Sequence, residues 1–396
     1  MAFTKLKIST TVVVIALVLL GGWFYYFYIA GPDAAIRHAE AFAFRRMTVT
    51  QLAEQGTYRF HHVTNRVVSK DADSLDDRFG RERETALKFG YFDTHIEPTL
   101  GIGMLIDATA WFQNEEIHID AVSELDRPAF VEQMRGLVKK SPYGSLLVVV
   151  HGYREAFPSA LRKTAFLSHV LDINSPVLLF DWPGNQGGSL SGYRRARDVA
   201  EASGAELAAT LKLVIREIRP QRLWLIANSM GGQVVADAFG ILYEEVDFAD
   251  TETEIEDVVL TAPDIDHDEF DARFKQEILA LADQLTVYVS SNDRALLISR
   301  VINRGRRGGE STLSPDQLEE AVRFAELVDT DSDRIALVDV TPVNRTRNFH
   351  NFSLETPEFF DDLYLRLRNE RTPRTRLMYP VRTPTGQVYW VLTRGR

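Results

Sequence analysis

The 396-residue chain contains no cysteine, which excludes disulfides, thiolate metal sites and a thiol nucleophile. It also lacks the Gly-rich phosphate loop of nucleotide hydrolases and the H-E-x-x-H spacing of zinc proteases. Its formal net charge is −11, so the chain lacks the excess of Lys and Arg that phosphate binding requires. We therefore expect no nucleic-acid partner. The composition, 45% hydrophobic and 26% charged, is that of a globular protein.

Three short stretches could suggest a metal or phosphate site, and none has the spacing that such a site needs. HDEFD at 267–271 has carboxylates and one histidine without a recognisable ligand pattern. His61 and His62 lie in a predicted strand and are interpreted as structural. GRRGG at 305–309 is a basic turn that lacks a strand before it and a helix after it. The sequence predicts no metal and no cofactor.

The N-terminus carries a charge-free run from Ile8 to Pro32, long enough to cross a bilayer as a helix. Lys5 and Lys7 precede the run, which favours a cytoplasmic N-terminus and a main domain on the other side of the membrane. Tyr28 stands where a signal-peptide cleavage site would need a small residue. We predict an uncleaved single-pass anchor. A cleaved signal peptide and a buried core helix are the alternatives.

Beyond this segment, continuous β-branched runs alternate with helix-like stretches, which predicts a mostly parallel, doubly wound α/β sheet covered on both faces. The charged stretch 71–84 is interpreted as a loop. The predicted divisions are the anchor at 1–33, a helical stalk or linker at 34–58, the α/β domain at 59–370 and an Arg-rich C-terminal hairpin or tail at 371–396.

The C-terminal segment from Arg366 to Arg396 carries eight Arg and a single acid, Glu370. Two short strands flank the turn TPTG within it. We expect a hairpin that packs against the domain. Contact of this basic tail with anionic lipid headgroups is the alternative interpretation.

The stretch RLWLIANSMGGQVV at 222–235 matches the strand–turn–helix setting of a nucleophile elbow, G-x-S-x-G, with Ala227 and Gly231 in the two glycine positions. Ser229 at the turn must adopt a strained backbone so that its Oγ stands clear of the sheet. The N–H of Met230, at the start of the following helix, is positioned to donate to a developing oxyanion. This pattern predicts Ser229 as a nucleophile.

A second motif, VVVHGYREAF at 148–157, begins with a buried strand and turns at Gly152. Loops of this kind supply another oxyanion N–H, and we expect Tyr153 to be the donor, with Gly152 as the second choice. His151 is interpreted as a core or loop-ordering histidine and not as a second base.

A serine hydroxyl needs a general base, and the base needs an acid to orient it. Only His267 and His350 follow Ser229 in the chain, and His350 is preferred because it precedes the last predicted helix. Asp293 directly follows the strand LTVYVSS and is the preferred acid. The alternative acids, which follow the previous strand, are Asp264 and Asp266.

These motifs together resemble a bacterial α/β-hydrolase family of unknown function within the esterase/lipase superfamily. The resemblance covers about residues 60–365 and implies the α/β-hydrolase fold, with Ser229 as nucleophile, Asp293 as acid and His350 as base. Family members more often have H-S-M-G at the elbow, so Ala227 and Asn228 are departures. The motifs that carry it are TNR at 64–66, FGRERE at 79–84, VVVHGYREAF at 148–157, LLFDWPG at 178–184, NSMGG at 228–232, LTAPDID at 260–266, VSSNDRAL at 289–296 and NFHNFSLETPEFFDDL at 348–363.

The sequence thus predicts a serine hydrolase that acts on acyl esters, held in a bacterial inner membrane with its domain on the periplasmic side. Amidase and lipase activities use the same machinery and remain open. A different class also remains open, because a fold does not determine a function. In that alternative, the chain is a catalytically idle hydrolase fold that acts as an interaction or scaffold module of the cell envelope.

Overall fold

The computed structural model describes part of the chain, and its strands form one eleven-stranded sheet. The sheet order is β10-β11-β9-β8-β7-β6-β4-β5-β1-β2-β3. The described residues are 18–19, 46–54, 56–69, 75, 78–96, 117–245, 248, 254–265, 274–290, 334–344, 352–369, 376–382 and 388–394.

The centre of the sheet is parallel, as the alternation of apolar runs and helices predicted. These strands are β4 (Ser145–Val150), β5 (Val177–Asp181), β6 (Arg222–Asn228), β7 (Ile255–Thr261), β8 (Ala282–Val289) and β9 (Ile335–Asp339). One side is extended by β1 (Thr57–Val68), parallel to β5, and by the antiparallel strands β2 (Phe79–Ile96) and β3 (Ile117–Leu125). The other side is extended by β10 (Met378–Arg382) and β11 (Val388–Leu392).

Helices cover both faces of the sheet, because successive residues of each central strand point to opposite sides. In β4, Val148 packs into one hydrophobic core and Val149 into the other. The first core is closed by α1 (Arg127–Lys140), α3 (Leu190–Leu213, continued by a π-helical turn, Val214–Ile218), α4 (Gly231–Tyr243) and α5 (Lys275–Leu281). The second is closed by α2 (Phe157–Leu171), α6 (Phe352–Glu355) and α7 (Pro357–Leu367).

Two elements within the α/β domain differ from the sequence interpretation. The stretch read as a charged loop becomes strand from Phe79 onward, since Arg83 is satisfied there by a bidentate ion pair with Glu206, at 2.7 and 2.8 Å. Helix α1 was not predicted, although its N-terminal signals are present. Asp126 caps it by accepting the Ala129 N–H at 2.8 Å, and a proline occupies its first turn.

The C-terminal hairpin joins the sheet, because β11 pairs with β9 in parallel. Among the described residues of this segment, Arg366 and Arg376 have buried side chains that are engaged within the fold. Arg366 forms an ion pair with Asp257, and Arg376 forms a bidentate pair with Asp362, all with buried side chains. The charges of Arg366 and Arg376 are therefore neutralised inside the fold and do not contribute to a basic surface of the tail.

The predicted anchor, Ile8 to Pro32, lies outside the described residues apart from Val18 and Leu19. None of the helices in the described ranges is long and apolar enough to cross a membrane. Residues 46–54 and 56, the described part of the predicted stalk outside β1, are not helical. Here the backbone N–H groups of Arg46 and Met47 donate to the carboxylate of Asp172, at 3.1 Å.

Candidate active site

Ser229 sits at the turn between the end of β6 and the start of α4. Its φ is +52°, a left-handed backbone conformation that residues other than glycine rarely adopt. The turn is held by three backbone hydrogen bonds. The Ser229 N–H donates to Thr261 O at 2.9 Å, and Ser229 O accepts from the N–H groups of Gly232 (2.9 Å) and Asp264 (3.1 Å). This is the strained strand–turn–helix geometry of a nucleophile elbow.

Glycines are required around this turn because other backbone segments pass very close to it. A Cβ on Gly231 would lie 2.5 Å from His151 O and 2.8 Å from Val150 O. A Cβ on Gly152 would lie 3.0 Å from the Cβ of Ser229. The loop after β4 therefore lies directly against the elbow, as the HGY motif predicted.

Met230 is the N-cap residue of α4, so its N–H is one of those at the helix start that the helical ladder does not use. Tyr153, the other predicted oxyanion donor, lies half-buried on the loop that contacts Ser229. Its hydroxyl donates to Gly187 O, and its ring meets that of Tyr193 edge-on, with centroids 5.6 Å apart. The structure thus brings Ser229, Met230, Gly152 and Tyr153 together at the carboxyl edge of the sheet.

His151, the first residue of this loop, is buried, and both of its ring nitrogens lie close to polar atoms. Nδ1 lies 2.9 Å from Gly152 O, and Nε2 lies 3.0 Å from Asp181 Oδ1 and 3.2 Å from the Trp182 backbone N. Its ring stacks on the Trp182 indole at 5.6 Å between centroids and 6° between planes. These contacts agree with a loop-ordering histidine and leave neither nitrogen directed at Ser229.

Asp181 links this histidine to a fully buried arginine. Its Oδ2 accepts from Thr64 Oγ1 at 2.6 Å and from Arg66 Nε at 2.7 Å. Burial by itself would raise the pKa of Asp181, but the charge of Arg66 and the hydrogen bond to His151 outweigh burial and hold the pKa below its usual range. The carboxylate therefore stays ionised inside the fold.

Arg66 spans the loops that follow β4 and β5. Its Nη2 donates to Glu155 O at 2.9 Å and to Trp182 O at 2.6 Å, and its Nη1 donates to Asn185 Oδ1 at 2.8 Å. Arg66 and Asp181 belong to the motifs TNR and LLFDWPG, for which the sequence by itself predicts no role. The sequence signal that could have identified this ion pair is the presence of one charged residue in each of two predicted buried strands, Arg66 in β1 and Asp181 in β5.

Asn228, which departs from the commoner elbow histidine, links the elbow to α6. Its Nδ2 donates to Thr261 Oγ1 and to Ser353 Oγ, both at 2.9 Å. Ser353 follows the predicted base, His350, by three residues in the chain. The sequence marked Asn228 as a departure but did not reveal this contact.

The remaining predicted residues divide into those that the structure describes and those that it does not. Asp264 lies next to the elbow, and its Oδ2 accepts from the Tyr193 hydroxyl at 2.7 Å. The predicted residues outside the described ranges are Asp266, His267, Asp293 and His350.

His61 and His62, considered and rejected as metal ligands, are buried within β1. Burial lowers the pKa of His61 to about 4 and that of His62 to about 3. The described residues contain no group of three or more His, Asp or Glu side chains suited to a metal ion.

Comparison with known proteins identifies the family of this chain. Two solved structures are similar to it, a Pyrococcus furiosus esterase, Pf2001, and a Thermogutta terrifontis esterase, Est2, with propionate bound. The first is 16% identical over 56% of this chain and 80% of its own, with a TM-score of 0.33. The second is 14% identical over 57% and 84%, with a TM-score of 0.30. Both scores are too low to support any inference of activity.

No curated protein matches the chain. A family profile described as "Alpha/beta hydrolase of unknown function (DUF900)" matches residues 126–362, which is more than half of the sequence. This range contains β4 to β9, the elbow and the loop that lies against it. The chain therefore belongs to this family of α/β hydrolases, whose function is not known.

Proposed function

We propose that the protein is a serine hydrolase that cleaves carboxylic esters through an acyl-enzyme. The observation that carries the proposal is the conformation of Ser229, held at φ +52° between β6 and α4 with the HGY loop against it. A left-handed serine at this turn costs about 1–3 kcal/mol, a strain typical of functional sites. We take the strain as support for a nucleophile.

In the proposed reaction, Ser229 Oγ attacks the acyl carbonyl carbon while His350 accepts the hydroxyl proton. Asp293 orients the imidazole, with Asp264 and Asp266 as alternative acids. The backbone N–H groups of Met230 and Tyr153, or of Gly152 in place of the latter, bind the tetrahedral oxyanion. The ester oxygen leaves with the proton from His350, and water then releases the acid by the reverse sequence of proton transfers.

An ester is favoured over an amide because an alkoxide leaves more easily than an amine. The alternative from another class is a catalytically idle fold that acts as an interaction module. Both readings are tested by labelling with a fluorophosphonate probe, which reacts with activated serines. We expect the wild type to be labelled and Ser229→Ala not to be. Equal labelling of the two proteins, or no labelling of either, would refute the hydrolase and favour the interaction module.

We further propose that the run from Ile8 to Pro32 anchors the protein in a bacterial inner membrane, with the domain on the periplasmic side. The point at which the chain joins the fold then bears on the substrate. Arg46 and Met47 bind Asp172, and the Thr48 N–H donates to Asn174 Oδ1 at 2.9 Å. These partners lie just before β5, at the amino edge of the parallel strands.

Ser229 lies at the opposite, carboxyl edge, since it follows β6, which runs parallel to β4 and β5. Strands of this length separate the two edges by roughly 20 Å. This arrangement favours a water-soluble ester over a lipid of the bilayer that holds the anchor. Contact of the Arg-rich tail with anionic headgroups remains an additional proposal for the same membrane.

A further inference from the structure

We propose that the chain that carries His350, the proposed base, is positioned by a buried hydrogen bond at each of its two ends. The inference deepens the proposed function and depends on it. His350 lies outside the described residues, which stop at 344 and resume at 352. We call the stretch between them, residues 345–351, the base segment. Before it, Asn344 bonds Ser290, and after it, Ser353 bonds Asn228.

The first contact lies where the chain leaves β9. The turn after this strand is held by the Val340 N–H, which donates to Val289 O at 2.9 Å, and by the Asn344 N–H, which donates to Val340 O at 2.8 Å. Asn344 Nδ2 donates to Ser290 Oγ at 2.9 Å, and both residues are buried. Ser290 is the last described residue before Asp293, the proposed acid. This contact therefore joins the start of the base segment to the chain that leads to the acid.

The second contact lies where the chain enters α6. Asn228 Nδ2 donates to Ser353 Oγ at 2.9 Å, and Ser353 is buried. The neighbouring Phe352 is also buried, and its ring meets that of Phe359 edge-on, with centroids 5.8 Å apart. Asn228 ends β6 and directly precedes Ser229. This contact therefore joins the end of the base segment to the strand that leads to the nucleophile.

The two contacts stand apart along the carboxyl edge of the sheet. Strands β6 to β9 are adjacent and parallel, and Asn228 lies in register with Thr261 at the end of β7. Three strand spacings of about 4.8 Å, roughly 14 Å in all, separate β6 from β9. Fixing both ends of the base segment restricts the conformations open to it. Less entropy is then lost when the base is oriented for proton transfer.

The fold does not depend on either serine hydroxyl. The strands pair through their backbones, and α6 is held by the burial of Phe352. Asn228 Nδ2 also donates to Thr261 Oγ1 at 2.9 Å, so this side chain keeps a partner beside the elbow when the Ser353 hydroxyl is removed. Loss of either hydroxyl should therefore loosen one end of the base segment and leave the elbow in place.

Removal of one hydroxyl at a time tests the two ends in the full chain. Ser353→Ala and Ser290→Ala remove the two contacts, and Ser353→Thr keeps a hydroxyl and tests for rescue. Ser145→Ala is the matched control. Ser145 is buried and its Oγ donates to Ser175 Oγ at 2.9 Å, but it begins β4 at the opposite, amino edge. Hydrolysis of p-nitrophenyl acetate, the rate of fluorophosphonate inactivation and the melting temperature would be measured for each.

We expect Ser353→Ala and Ser290→Ala each to lower kcat and the inactivation rate by about 10-fold, with KM within about 2-fold of the wild type. A poorly oriented base slows proton transfer without weakening substrate binding, and the loss is smaller than the roughly 100-fold cost of a 1 Å misplacement. Ser353→Thr should recover most of the loss. Ser145→Ala should lower the melting temperature by a similar few degrees and keep kcat within about 2-fold.

Wild-type kcat in both alanine variants would overturn the proposal. Equal losses of activity in these variants and in Ser145→Ala would also overturn it, since a general effect of lost buried hydroxyls predicts that result. A loss in Ser353→Ala alone would indicate an effect on the elbow and not on the base segment. Asn344→Ala removes the first contact from its other side and replaces Ser290→Ala if that variant does not fold.

Failure of the hydrolase itself has a separate signature. The wild type and Ser229→Ala would then be labelled equally by the fluorophosphonate, whatever the serine-to-alanine variants do, and the positioning proposal would fall with the proposed function. A labelled wild type with unchanged kcat in Ser290→Ala and Ser353→Ala would instead overturn only the positioning proposal.

Discussion

Replacement of Gly231 by alanine tests whether the close approach of the HGY loop to the elbow sets the activity. The new Cβ would lie 2.5 Å from His151 O and 2.8 Å from Val150 O, where ordinary contact begins at 3.4 Å. Both atoms are backbone and cannot swing away. Relief therefore requires the loop and α4 to separate by about 0.9 Å, the shortfall at the closer oxygen.

This displacement moves the Tyr153 N–H, the proposed oxyanion donor, relative to Ser229, and a misplacement of about 1 Å at a catalytic group costs about 100-fold in rate. Overpacking costs about 1–3 kcal/mol of stability. Alanine returns up to about 1 kcal/mol through its higher helix propensity. We therefore expect Gly231→Ala to stay folded, with a small loss of stability and a loss of about 100-fold in kcat/KM.

The neighbouring glycine supplies the matched control. A Cβ on Gly232 would meet Ile265 Cδ1 at 3.2 Å and both Ile265 Cγ1 and Pro263 Cβ at 3.3 Å, all side-chain atoms that need to shift by only a few tenths of an ångström. Gly232→Ala carries the same propensity gain in the same helical turn, so its activity should stay within about 3-fold of the wild type. Hydrolysis of p-nitrophenyl acetate and thermal melts would be compared. Equal activity of the two folded variants would refute the reasoning.

Acid should destabilise the fold through His61 and His62. Burial lowers their pKa values in the folded protein to about 4 and about 3, whereas both have the ordinary pKa of 6.5 in the unfolded chain. As the pH falls, the unfolded chain therefore takes up protons before the folded protein does, and the equilibrium shifts towards unfolding. Their contribution is complete above pH 6.5 and falls by about 2 kcal/mol for each histidine by pH 5. In urea unfolding, His62→Asn should reduce the loss of stability between pH 7.5 and 5 by about 2 kcal/mol, and an unchanged loss would contradict this origin. For the anchor, we expect the full chain to remain with membranes after alkaline carbonate extraction and a chain that begins at residue 34 to be released, whereas release of both would rule out the anchor.

The nucleophile elbow and the central sheet could be predicted because their signals are local. Ser229 lies between an apolar strand and a Gly-rich helix start, and only small residues fit the crowding that such a turn creates. The hairpin around TPTG was predicted for the same reason. Strand β2 was partly missed, since its charged half is stabilised by Glu206, a partner more than 100 residues away in the chain. The residues around Arg83 in the sequence do not predict that its partner is Glu206.

Sequence alone determined the fold class, the family and the position of Ser229 at the turn between β6 and α4, because hydrophobic periodicity and turn signals depend on residues that are adjacent in the chain. Only the tertiary structure decided what surrounds that serine. It joined Arg66 to Asp181 and Asp181 to His151 across three strands, and it joined Asn228 to Ser353. It also set the docking point of Arg46 at the opposite edge of the sheet. These contacts depend on strand order, because neighbouring strands bring together residues that are far apart in the chain. A buried charge requires such a partner.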